Sequence, residues 1–369
     1  VTGADGSVVL GPSDFASAGI AFTEAGTWQF LAEFEGDNNF LPATSVGYDE
    51  PETARLTVKD RAGYAVVVLG KLNEAGEGLA EHAKTSDYVY RSLRARGLAE
   101  EDIYYLREGP QQPAADIFVS DTTPSQADVQ YAIEAWAAGR MNASAAPLYV
   151  VFVDHGGADK FYVHSGAYDE TRTITPFELD AYLDHLEQNL TGPAVDQPLT
   201  VFVGACHSGS FIPHVSGPNR VVMTSCSAGE VSHRGVVDPL DGRRDGEAFT
   251  TEFFRNAREG KTFKDSFALA SSRMAEYTAT SSNGAAAQQT QHPLLDDNGD
   301  GQGSVAEGLS FASGYDGLLS HELVLGYGVN ASDSVGWITA TQTVFLGPSD
   351  PMVTLEAKAS EFPATNQIG

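Results

Sequence analysis

Cysteine is nearly missing from this chain: 369 residues hold two, Cys206 and Cys226. Two thiols cannot build a disulfide framework, although the sequence leaves a single Cys206–Cys226 pairing open. Basic residues are scarce as well, with 22 Lys and Arg against 50 Asp and Glu and a formal charge of −28. A field of that sign repels nucleic acid and anionic membranes, so neither is expected as a partner, and it draws cations, metal ions included. No apolar run reaches about 18 residues, so membrane insertion is not expected. The opening "VTGADGSVVLGPSD" also lacks the basic-then-apolar order of a secretory signal. What the chain does have is 42% hydrophobic and 20% charged residues, the composition of a globular protein.

Residues 1–60 read as a β-rich segment. In "GTWQFLAEFEG", Trp28, Phe30, Ala32 and Phe34 alternate with Thr27, Gln29, Leu31 and Glu33, a period of two. From residue 61 the texture changes. Continuous apolar runs at "YAVVVLG" (64–70), "LYVVFVD" (148–154), "LTVFVGA" (199–205) and "RVVMTS" (220–225), with "DIYYL" (102–106), predict strands, the continuous runs being those of strands buried on both faces. Helical patterns lie between and after them. "TSDYVYRSLRARG" (85–97) has Thr85 or Ser86 as its N-cap. "SQADVQYAIEAWAAG" (125–139) puts Val129, Ile133 and Trp136 on one face. "TPFELDAYLDHLEQN" (175–189) opens with a Thr cap and a Pro at the first helical position. Alternating strands and helices predict an α/β domain over 61–315, with a mainly parallel sheet and helices on both faces. Residues 316–369 read as a β-rich C-terminal appendage. In such sheets active sites sit beyond the C-terminal strand ends.

Two of those ends carry chemistry. "VVFVDHGG" places His155 just past a strand and before Gly156 and Gly157. "VFVGACHSGS" places Cys206 in the matching position. If the two strands are neighbours, thiol and imidazole emerge at one edge, and the imidazole can activate the thiol as a nucleophile. The glycines allow a sharp turn and expose an amide N–H to a developing oxyanion. Asp154, directly before His155, is a candidate to orient it, but adjacent strand residues point to opposite faces. Cys226 reads as structural.

"YVVFVDHGG" and "TVFVGACHSGSF" resemble the two signature blocks of the caspase-like cysteine peptidases, and His155 lies 51 residues before Cys206, close to the caspase spacing. Within that clan, Ala-Cys-x-Ser-Gly-Ser is similar to the legumain family, and the departures point to a bacterial branch of it. The resemblance covers about residues 63–310. It implies a caspase-like fold and peptide hydrolysis through a thioester, with Cys206 as nucleophile, His155 as general acid/base, and the N–H groups of Gly156 and Cys206 as the oxyanion hole. It also implies that Ser225 and Ser227 line the pocket for the residue before the cleaved bond. Glu230, Asp238 and Asp241 fall where the clan places specificity elements, and one of them could read a basic residue. Eukaryotic legumains have Glu-Ala-Cys, where this chain has Gly204, so asparagine specificity is not carried over. "AGTWQFLAEFEGDNNFLPATS" resembles bacterial immunoglobulin-like repeats of surface proteins, so the α/β domain is expected to be flanked by small immunoglobulin-like β segments. An extracellular or cell-surface setting within a longer chain follows as an expectation.

"LLDDNGDGQGSVAEG" (294–308) fits a calcium-loop pattern, D-x-[DN]-x-[DN]-G-x5-E, with Asp296, Asn298, Asp300, Gln302 and Glu307 as ligands within 296–307. Alternating hard oxygens suit Ca²⁺ better than Mg²⁺; an acidic surface turn is the alternative. No organic cofactor is expected. The expected function is a cysteine endopeptidase acting on protein or peptide. A non-catalytic adhesin or scaffold of the same fold, and a transpeptidase or ligase using the same Cys–His dyad, are the alternatives.

Overall fold

The computed structural model describes residues 61–72, 78–165, 172–280 and 290–326, with seven short strands in the terminal segments. The chain divides into two units, Gly63–Gly326 and a second that joins Val1–Ala62 to Tyr327–Gly369.

The larger unit is built on six strands: β1 (Tyr64–Leu69), β2 (Ile103–Arg107), β3 (Leu148–Val153), β4 (Leu199–Gly204), β5 (Arg220–Thr224) and β6 (Leu294–Asp296), in the order β6-β5-β4-β3-β1-β2. β1 to β5 run parallel, and β6 is antiparallel to β5. The fold is therefore α/β with a mixed, mostly parallel sheet, and β6 is a strand the apolar pattern did not predict. Every residue of β1, β3, β4 and β5 is buried, as their unbroken apolar runs require.

The period of two sorts these strands between two cores. Val66, Val150, Phe152, Val201 and Val203 face α2 and α3, meeting Val129, Ile133, Leu179 and Leu183. Here α2 comprises Gln126–Tyr131, a π-helical turn Ala132–Ala137, and Ala138–Ala143, and α3 is Pro176–Asn189. The other face meets α1 (Leu79–Ala95), α4 (Ala248–Arg258) and α5 (Phe263–Thr280). Phe202 of β4 packs there on Phe249, Phe253 and Phe254, at ring-centroid distances of 5.7, 5.0 and 5.5 Å.

Local signals set some helix ends. Thr175 caps α3 reciprocally with Glu178, and Pro176 is its first residue. α1 differs from expectation. It begins at Leu79 behind left-handed Gly78, not at Thr85 or Ser86. Those two hydroxyls are buried and serve tertiary contacts instead. Thr85 Oγ1 accepts from Gly246 N at 3.0 Å, and Ser86 Oγ meets the Tyr105 hydroxyl at 2.7 Å.

In the terminal unit, Ala54–Lys59 pairs antiparallel with Gly26–Phe30 and parallel with Thr341–Phe345, and Val8–Leu10 pairs antiparallel with Leu355–Ala357. The segments expected separately as 1–60 and 316–369 thus share sheets, and the α/β unit runs to Gly326 rather than 315. Most residues behind the immunoglobulin-like expectation lie outside those described. Among the described residues no helix is long and apolar enough to cross a membrane.

One buried cation fastens β5 to α3. The Arg220 guanidinium is 2% exposed and binds Asp180, Asp184 and Glu187 at 2.8, 2.6 and 2.7 Å. Arg220→Ala leaves three carboxylates facing one another. Because these are partly solvated, we expect a loss of about 2 kcal/mol rather than the full cost of a buried orphan charge. A urea midpoint unchanged from wild type would show that the cluster contributes nothing.

Candidate active site

β3 and β4 pair in register from Leu148 opposite Leu199 to Val153 opposite Gly204. His155 and Cys206 each follow two residues later, so both leave the sheet at the same edge. Asp154 N still donates to Gly204 O at 3.3 Å, continuing the ladder one step. Gly156 then lies directly against the cysteine turn. A Cβ at 156 would run into the Cys206 carbonyl oxygen and press on the Ala205 methyl at 3.0 Å. Neither Gly156 nor Gly157 has a positive φ; they form a short strand paired with Lys160 and Phe161, and the left-handed residue of that hairpin is Asp159. Close backbone approach, not a sharp turn, is what requires glycine at 156.

The chain reverses immediately after Cys206. His207 sits at φ 60°, a left-handed conformation costing about 1 kcal/mol for a residue with a Cβ. Its N–H donates to Glu230 O at 2.8 Å and its ring meets Ala228 O at 3.0 Å, which holds the turn. Cys206 is partly exposed, with Sγ 3.7 Å from Ser232 Oγ. Cys226 is a separate free thiol, buried, with Sγ donating to Ala205 O and Glu230 O at 3.3 and 3.4 Å. Burial pushes its pKa up to about 12, and in the structure it is not paired with Cys206.

The remaining sequence-predicted residues separate by role. Ser225 is 0% exposed. Its hydroxyl accepts from Ala205 N and donates to Ala205 O at 3.1 and 3.2 Å. It braces the cysteine turn from behind, and its burial corrects the expectation that it lines a substrate pocket. Ser227 is half-buried, its N–H bound to the Glu230 carboxylate at 3.2 Å. That carboxylate is also held by His292, N–H at 2.9 Å and Nδ1 at 2.5 Å. Burial opposes its charge, but His292 and Ser227 outweigh that and keep its pKa below the ordinary carboxylate value. Asp238 and Asp241 are taken up by Lys84 of α1, at 3.1 and 3.0 Å. All three acids expected to read a basic residue are therefore already engaged.

Two groups at this edge, His82 and Glu247, escaped the sequence reading, and a third, Asp154, was discounted in it. Asp154 does not point away from His155, because β3 ends at Val153 and strand alternation no longer applies. Its buried Oδ1 accepts from His155 N at 2.6 Å and lies 4.0 Å from His155 Nε2. His82, in the first turn of α1, puts Nδ1 3.0 Å from Asp154 Oδ2 and its ring 4.8 Å from that of His155. Burial disfavours a charged His82, yet Asp154 and, more weakly, Glu247 prevail and raise its pKa. Glu247 caps α4, accepting from Thr250 N at 2.6 Å, and burial raises its own pKa. A Cβ at Gly204 would meet Thr250 Oγ1 and approach Glu247 Oε2 at 3.3 Å. A buried glutamate from α4 thus borders the space a side chain at 204 would enter. Neither His82 nor Glu247 falls in an apolar strand-end motif, so no spacing signalled them; Asp154 stands in the "VVFVDHGG" motif itself.

The loop 296–303 is closed by a bridge between Leu295 and Ser304. Asp296 accepts from Gly299 N and Gly301 N, Asn298 from Asp300 N, and Asp300 from Gln302 N, at 2.8–3.1 Å. Glu307 lies beyond the bridge and is exposed. Asp316, bound to Ser304 Oγ at 2.6 Å, is the carboxylate that acts on Asp296 and Asp300. Burial, with those neighbouring acids, raises the pKa of Asp296. Among the described residues, the one set of three His, Cys, Asp or Glu ligand atoms within 4.8 Å of one another is His82, Asp154 and His155. We read it as the Asp154 carboxylate set between the His82 and His155 imidazoles.

No curated protein matches the chain. Among solved structures, caspase-1 from Spodoptera frugiperda is similar at 15% identity and a TM-score of 0.45, over 69% of this chain and 92% of that one. A structure described as pro-sf-caspase-1 is similar at 12% and 0.44, over 68% and 97%. The family model described as "Caspase domain" matches residues 89–299, more than half of the chain and including both His155 and Cys206. The chain belongs to the caspase domain family.

Proposed function

We propose that this protein is a cysteine endopeptidase with Cys206 as nucleophile and His155 as general acid/base. The observation that carries this is the β3–β4 register, which delivers both residues to one sheet edge. The family, whose members are generally cysteine peptidases, supports it. In the reaction the Cys206 thiolate attacks the peptide carbonyl carbon. The oxyanion so formed is stabilised by the N–H groups of Gly156 and Cys206. His155 gives its proton to the leaving amine as the C–N bond breaks, which leaves a thioester. Water, deprotonated by His155, then releases the acid and restores the thiol. An amine in place of water would make the same thioester a ligation intermediate.

The finer placement is also proposed. Ala205-Cys206 followed by Ser208-Gly209-Ser210 supports a legumain-like branch, while Glu247 beside Gly204 argues for a different reading of the substrate residue. The N-terminal β pattern supports a location outside the cell or on its surface, as part of a longer chain.

Two measurements test the reaction. Iodoacetamide at about pH 8 should label Cys206 in the folded protein and leave Cys226 untouched until denaturant is added. Equal labelling of both would contradict the thiol assignments. A peptide library should be cut by wild type, and Cys206→Ala or His155→Ala should lower kcat by roughly 1,000-fold or more. Cleavage that survives either substitution would sink the mechanism, and amine-capped products would identify a ligase.

We further propose that Ca²⁺ binds at Asp296, Asn298, Asp300 and Gln302. Asp316 supports this loop more directly than the exposed Glu307 does. Saturating Ca²⁺ over EGTA should raise Tm by roughly 5 °C or more, and Asp300→Ala should remove the shift. No shift in wild type would leave these acids as a surface turn.

A further inference from the structure

His82 is a buried imidazole that the proposed reaction does not use, yet it lies against the residue that does. We propose that His82, acting through Asp154, is a positioning residue that fixes the ring of His155 for proton transfer. The inference rests on the peptidase reading and adds to it a residue on a different element.

Three contacts support it. The Asp154 carboxylate joins the two imidazoles, with Oδ2 3.0 Å from His82 Nδ1 and Oδ1 bound to His155 N at 2.6 Å and 4.0 Å from its Nε2. The His82 ring also stands edge-on to the His155 ring, at 4.8 Å and 70°. His155 itself is 29% exposed in its side chain. Asp154 grips the backbone of His155 more closely than its ring, and His82 supplies the lateral contact.

His82 is rigidly held in turn. It is 4% exposed. Gly246 packs so closely on it that a Cβ there would fall 2.5 Å from the His82 Cα. Gly246 N also donates to Glu81 O and to Thr85 Oγ1, both at 3.0 Å. The first turn of α1 therefore cannot slide against the segment that leads into α4. The charged and titratable groups acting on His82 are Asp154, His155 and Glu247. A buried His–carboxylate pair adds little net stability compared with apolar packing. Stability alone therefore gives no reason for this pair, whereas its place behind His155 does.

The test uses the full chain with His82→Ala, His82→Asn and His82→Gln, read by peptide cleavage and by the rate of Cys206 alkylation near neutral pH. The Asn amide reaches the place of Nδ1 and can still donate to Asp154; the longer Gln amide reaches the place of Nε2 instead. We expect His82→Ala to lower kcat by roughly 10- to 100-fold with KM within about twofold, as for lost orientation. His82→Asn should recover most of the rate and His82→Gln should not. Cys206 alkylation should slow in His155→Ala, slow partly in His82→Ala and return in His82→Asn. If His82→Ala fails to fold, the Asn–Gln difference decides. A kcat within twofold of wild type, a loss confined to KM, or equal losses in Asn and Gln would overturn the proposal. If no peptide is cut but the alkylation pattern holds, the peptidase reading fails and the positioning role stands. If His155→Ala leaves alkylation unchanged, both fail.

Discussion

Six consecutive residue pairs hold β3 against β4, ending with Val153 opposite Gly204. Everything at the candidate active-site edge depends on that ladder. A slip of one residue would turn every β4 side chain to the opposite face. Phe202 would leave its cluster with Phe249, Phe253 and Phe254, and the valines of the other core would take its place. The cores on the two faces therefore fix the register, and the register fixes where the thiol and imidazole emerge. Packing far from the chemistry sets its geometry to within one residue.

Much of this was legible in the sequence because it is written in period and position. Unbroken apolar runs marked β1, β3, β4 and β5, and the residues just beyond two of them named Cys206 and His155. Thr175 and Pro176 announced the start of α3 by capping chemistry that needs no tertiary partner, and Glu178 completes that cap in the structure. What stayed hidden is what only the folded chain brings together. Thr85 reads as a helix cap in isolation but is spent on Gly246, which is 161 residues away. Ser225 looks like a pocket residue because it follows a strand, yet its hydroxyl turns inward to the backbone of Ala205. His82, Asp154 and Glu247 are polar residues whose burial no local pattern reveals. Glu307 completes a linear motif, but the bridge at Ser304 leaves it outside the loop.

The acidic balance of the chain takes on structure in the fold. Two of its cations sit where acids would otherwise collide. Arg220 gathers three carboxylates of α3, and Lys84 gathers Asp238, Asp241 and, at 3.9 Å, Asp245. These two basic side chains thus each serve three acids, in a sequence with 22 basic and 50 acidic residues. The Lys84 cluster also ties the segment after β5 to α1, the helix that carries His82.

The character of Cys226 has a consequence for how the protein meets oxidants. A thiol with a pKa near 12, turned into the core, is protonated at any physiological pH and is no nucleophile. Of the two cysteines in these 369 residues, Cys226 therefore offers no resolving thiolate to a sulfenic acid formed on Cys206. Peroxide therefore carries Cys206 toward irreversible sulfinic acid unless a thiol from solution reaches it first. Recovery from oxidation is set by the surroundings, not by the fold.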